Sequence, residues 1–177
     1  MTLVLPKAAA CVLVPFVLLS PIAAQVRQEP LNPKEIDELR DAAQQPAQRM
    51  KLYVDFARAR LVALEQMRAD PKVTDRAQQT HDKLENFLAV YDELNDNIDT
   101  FVERKEDLRK PLKMVIEADN EFQAKLRALA SARNSNPSEA EHYQFLLDNV
   151  LETVDSSAQD HRQLLSEQEE AAKHKKK

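Results

Sequence analysis

The sequence contains no glycine and no tryptophan, a single cysteine, and only 5% aromatic residues. The missing glycine excludes the most. Hairpin turns and bulges of strand-rich folds rely on its positive φ, and phosphate-cradling loops on the close backbone approach it permits. β-Sandwiches, dinucleotide-binding domains and P-loops are therefore disfavoured together. The lone cysteine, Cys11, lies inside an apolar run rather than after it, which argues against a lipoprotein signal. With Met1–Ala24 removed, no cysteine would remain for a disulfide or for thiolate chemistry.

Long apolar runs are also scarce, and the one present is at the N-terminus. A short segment ending at Lys7 precedes the run from Ala8 to Leu19, interrupted by Pro15, and Ser20-Pro21-Ile22-Ala23-Ala24 supplies small residues. This pattern predicts a signal peptide over 1–24 with Gln25 as the mature start. The run is shorter than the roughly 20 residues a membrane span requires. The expected location is outside the cytoplasm, periplasmic or secreted. A formal net charge of -5 argues against nucleic acid as a partner of the whole surface.

What the chain does contain is abundant Ala, Leu, Glu, Gln, Lys and Arg, the residues of helices. Asn32-Pro33-Lys34-Glu35 joins a capping side chain, a proline where no N–H is needed and a glutamate able to reach back. It reads as a helix start. The pattern recurs at Asn136-Pro137-Ser138-Glu139 and, more weakly, at Asp70-Pro71. Starts are therefore expected near 33, 71 and 137, after a flexible leader over 25–32, in an all-α helical domain over 33–172 with a basic tail at 173–177.

Apolar residues at Leu84, Phe87, Tyr91, Leu94, Ile98, Phe101, Leu108, Leu112, Val115, Phe122, Leu126 and Leu129 follow one three-four spacing, interrupted by Lys105 and Asp119. Sustained over that length, such a seam predicts left-handed supercoiling against neighbours. Matching stripes run through Met50, Val54, Ala57, Leu61 and Leu64, and through Tyr143, Leu147, Val150, Val154, His161 and Leu164. Pro46 and Pro111 each kink or end a helix. Because the seam stays in phase from Leu108 to Leu112, the expectation is a kink at Pro111. Helix 33–69 then pairs with 72–110, and 112–133 with 137–172, as antiparallel αα-hairpins in an elongated, coiled-coil-like three-helix arrangement. A compact four-helix bundle is the alternative, arising if the chain reverses near Pro111.

Candidate chemistry is sparse. Glu139 and His142 have the Glu-x-x-His spacing of a di-iron bundle, but the second such motif is missing, and Glu139 is also placed to cap a helix. They stand as weak metal candidates; no cofactor is expected and no catalytic set can be picked out. His161 falls on the seam as a partly buried, hydrogen-bonded histidine, and His81 one place off it in solvent. Lys105 falls level with Glu38, where a pair would set the docking direction of the first hairpin; equally, its long side chain can reach past its neighbours to water. The basic stretch Arg49, Lys51, Arg58 and Arg60 faces the acidic stretch 92–99, with 49–51 expected to approach 92–94.

These features predict a non-enzymatic interaction or structural protein of the cell envelope whose partner is a protein, with a homo-oligomer open. The alternative is an anionic-surface or lipid-binding helical module acting through Lys173, Lys175, Lys176 and Lys177. A metal-handling bundle is the third reading.

Overall fold

A computed structural model describes residues 30–174; the signal peptide expected at 1–24 and Lys175–Lys177 fall outside the described residues. Those residues form six α-helices and no strand: α1 Pro33–Asp41, α2 Pro46–Ala69, α3 Arg76–Glu103, α4 Arg109–Ala132, α5 Pro137–Ala140 and α6 Gln144–His174. A single 3₁₀ turn, Arg133–Ser135, follows α4. Among the described residues no helix is long and apolar enough to cross a membrane.

The capping signal at Asn32 is realised in full. Its side chain accepts from the Glu35 amide at 3.1 Å, and the Glu35 carboxylate accepts from the Asn32 amide at 2.9 Å. Asn136 likewise accepts from the Glu139 amide, at 3.4 Å, but the helix it opens is only four residues long and the long helix starts at Gln144. Asp70-Pro71 marks a turn after α2, and α3 begins at Arg76. The expected helix 33–69 is broken at Ala42–Gln45, and Pro46 occupies the first helical position of α2, where a missing N–H breaks no bond.

The kinked helix expected across Pro111 is not formed. α3 ends at Glu103 and α4 begins at Arg109, so Pro111 is the third residue of a new helix, among the first-turn positions whose amides have no helical acceptor. The stop before it is a Schellman motif: the Glu106 amide bonds the Phe101 carbonyl at 3.0 Å, and the Lys105 amide the Val102 carbonyl at 2.8 Å. That motif needs a left-handed residue, and Lys105 takes it with φ 60°. In a chain without glycine the usual mark of such a stop is missing.

Four helices surround one core. α2 packs on α3 and α4, and α6 on α4 and α3. Cross-links show the directions: Arg49 bonds Asn97 and Arg68 bonds Thr80, so α2 and α3 are antiparallel. Arg133–Asp148 and Lys113–Glu169 make α4 and α6 antiparallel as well. Arg58–Glu121 and Lys125–Glu65 tie α2 to α4 in parallel. α3 and α4 meet across the core, where the Phe87 and Phe122 rings lie edge to face at 5.4 Å. The seam from Leu84 to Leu126 and the matching stripes of α2 and α6 are buried, with Leu129 and Leu164 half-buried at the margin.

Candidate functional site

The seam positions that carry polar groups converge at mid-bundle. Tyr91 on α3 donates its hydroxyl to Asp119 Oδ1 on α4 at 2.8 Å, and His161 Nδ1 on α6 shares a hydrogen bond with Asp119 Oδ2 at 2.9 Å. Asp119 is 0% exposed and His161 4%. Ser157, one turn before His161, lies close enough to the Tyr91 hydroxyl to act on it and accepts from Asn95 Nδ2 at 3.0 Å. Burial, and the Asp119 carboxyl beside it, push the Tyr91 hydroxyl far above its ordinary range, so it stays a donor. Three helices are thus tied at one level by a polar network inside an apolar core, in which Asn95 Oδ1 has no hydrogen-bond partner among the described residues. Each donor and acceptor fits one register, which makes the network a device for specifying how the helices align.

Tyr91, Asp119 and His161 are buried, while Ser157 and Asn95 at the edge of the network are half-buried. A carboxyl group with no exposed surface meets a substrate only if the helices part, so Tyr91, Asp119 and His161 have the residue types of acid–base chemistry without access for it.

No known protein family, characterised protein or solved structure matches this chain.

The sequence-derived candidates fall elsewhere. The Glu139 carboxylate accepts from Arg68 at 2.7 Å and from the Asn136 side chain at 3.1 Å, while His142 is exposed in the turn before α6. Among the described residues no group of three or more His, Cys, Asp or Glu is placed to hold a metal ion. Arg68 also bonds the Thr80 hydroxyl at 2.8 Å and lies over the Tyr143 ring at 5.5 Å, so Glu139 belongs to the closure of that end of the bundle.

Lys173 is exposed and paired with Glu170 at 2.6 Å, which raises its ammonium above the ordinary lysine value. Of the two readings of Lys105, the pair with Glu38 is not formed: Lys105 lies exposed in the reversal, and Glu38 pairs with Lys34 at 3.5 Å. The basic stretch of α2 is shared among three elements rather than matched to 92–94. Arg49 bonds Asn97 at 2.6 Å, Arg58 reaches Glu121 on α4 at 2.9 Å, and Arg60 forms a bidentate pair with Glu35 at 2.7 and 2.6 Å. His81 is half-buried beside Asp82 at 3.6 Å.

Asp119 and His161 both stand on the seam and face each other across the expected 112–133/137–172 hairpin, but seam spacing alone does not show that their side chains bond. The part-buried Glu35–Arg60 pair was not legible either, because it joins two helices separated by the break at 42–45. Its signal was a cap glutamate at the start of α1 and an arginine surrounded by apolar residues in α2.

Proposed function

We propose that this chain is a non-enzymatic interaction protein of the cell envelope, exported by its N-terminal segment, with two αα-hairpins joined into a four-helix bundle as its scaffold. The observation that carries this reading is the sealing of Asp119. The polar cluster with the residue types for catalysis is enclosed, which leaves the outer helix faces to act. The test uses the mature protein as bait in its own envelope fraction, with intact-mass measurement of the exported product. A product beginning at Gln25 and a stoichiometric protein partner support the proposal. Retention of Met1–Ala24 overturns the cleavage reading in favour of a membrane anchor, and turnover of a small molecule overturns the non-enzymatic one.

A second reading, binding to an anionic surface, is favoured by one tertiary relationship. Lys113–Glu169 at 2.9 Å and Gln168 bonded to the Leu108 amide at 2.8 Å bring the C-terminal end of α6 beside the basic first turn of α4, which carries Arg109 and Lys110. Lys173 thus shares one end of the bundle with those cations, and Lys175, Lys176 and Lys177 continue the sequence from there. Binding to vesicles containing anionic lipid that weakens with salt and disappears on deletion of 173–177 supports this reading. Indifference to such vesicles at low salt overturns it.

A further inference from the structure

α1 is built as a strap. Its nine residues run back along α2, to which they are fastened at two levels. Arg60 grips both oxygens of Glu35 and the Pro30 carbonyl, the last at 2.9 Å, and Arg49 Nη1 bonds the Leu39 carbonyl at 2.6 Å. Arg49 and Arg60 are eleven residues apart on one helix, with Tyr53 and Phe56 between them at the spacing of a single face. That stripe is about 16 Å long and α1 about 14 Å, so α1 spans it, setting Glu35 at one end and buried Leu39 at the other.

The receptor side does not depend on α1 at the Arg49 end. Arg49 is held by Asn97 Oδ1 at 2.6 Å and lies over the Tyr53 ring at 5.6 Å, and Asn97 is itself fixed by the Glu93 carbonyl at 2.7 Å. The strap, by contrast, is shorter than the roughly 12 to 15 residues an isolated helix needs, so without this stripe it has little hold on its own helical form. The Arg49 end of the groove is thus held without α1, whereas Arg60 has Glu35 and Pro30 as its hydrogen-bond partners.

We infer that α1 is a displaceable stand-in for a partner helix, and that the Arg49–Tyr53–Phe56–Arg60 face of α2 docks an amphipathic partner helix carrying a glutamate four residues before a leucine. Charge complementarity sets the occupant. Arg60 takes a carboxylate bidentately, the apolar stripe takes the leucine side chain, and Arg49 takes that leucine's main-chain carbonyl. The inference rests on the interaction-protein reading and names the chemistry of the partner.

The test uses the full chain and a labelled peptide with the sequence of residues 30–44. Hydrogen exchange should show the amides of α1 exchanging about 100-fold faster than those of the four long helices. The peptide should bind the strap-loosened variant Glu35→Gln/Leu39→Ala at least about tenfold more tightly than it binds the wild-type chain. Adding Arg60→Gln to that variant should abolish binding, as should Glu35→Gln in the peptide. Unchanged exchange in the four long helices shows that each variant is folded. Protection of α1 equal to that of α2, or a loosened chain that does not bind the peptide, overturns the inference. Capture of an envelope partner with affinity unchanged by Arg60→Gln overturns it too, while leaving the interaction reading intact.

Discussion

Tyr91 and Asp119 are hydrogen-bonded at 2.8 Å although 28 residues separate them in sequence. In one continuous helix they would lie about 42 Å apart, so this contact alone requires the chain to reverse between them. It also sets the level at which α3 and α4 face each other, since the Phe87–Phe122 contact lies one turn away in the same register.

Removing the Asp119 carboxyl orphans two buried partners at once. Asp119→Ala is expected to destabilise the chain by about 2 to 5 kcal/mol in denaturant titration. Replacing the whole cluster with apolar residues, as Tyr91→Phe/Asp119→Leu/His161→Leu, should recover most of that loss. A single variant with wild-type stability would show that the network is not closed as described.

Lys105 holds a left-handed conformation that a side chain with Cβ disfavours. Lys105→Gly should therefore stabilise by about 1 kcal/mol, whereas β-branched Lys105→Val should destabilise. Denaturation midpoints of the two variants, compared at equal slope, decide the matter. Shifts in the same direction would contradict the Schellman stop.

Pro111 distinguishes a helix start from a kink by thermodynamics. In a helix interior a proline costs about 3 kcal/mol, so Pro111→Ala would be strongly stabilising there. In the first turn of α4 it removes no hydrogen bond, so Pro111→Ala should bring no stabilisation; because the ring is buried, its loss should instead destabilise by about 1 to 2 kcal/mol. A thermal-unfolding comparison reads this directly.

The Glu35 carboxyl sits below its ordinary value of 4.5. Burial acts to raise it, and the hydrogen bonds from Arg60 and the Asn32 amide, with the Arg60 charge, outweigh that effect. Because the folded value lies below the unfolded one, the pair's contribution is present above pH 4.5 and is lost as the pH falls through the folded value. The stability difference between wild type and Glu35→Gln should therefore shrink on acidification through that window. A difference that stays constant down to pH about 2 would show that Arg60 does not act on the charged form.

Much of the local structure was already present in the sequence. The absence of glycine, the three-four spacing from Leu84 to Leu126 and the Asn-Pro-x-Glu caps determined an all-helical chain and which face of each helix is buried. These are local properties: a cap satisfies amides within one turn, and an apolar stripe follows from the helical period alone. Direction is not local. The seam stays in phase through Lys105 and Leu108 whether the chain continues or turns back, because Leu108 is buried in either case, and a lysine doing a glycine's work leaves no mark. Tertiary structure therefore decided the reversal at 104–108, and with it the meeting of Tyr91 with Asp119, which His161 joins across the expected α4–α6 hairpin. It also decided that the Glu35 of a cap would fold back onto Arg60 of the next helix. Both depend on side chains from distant segments satisfying one another where water is excluded, and residue spacing within a single helix does not encode that condition.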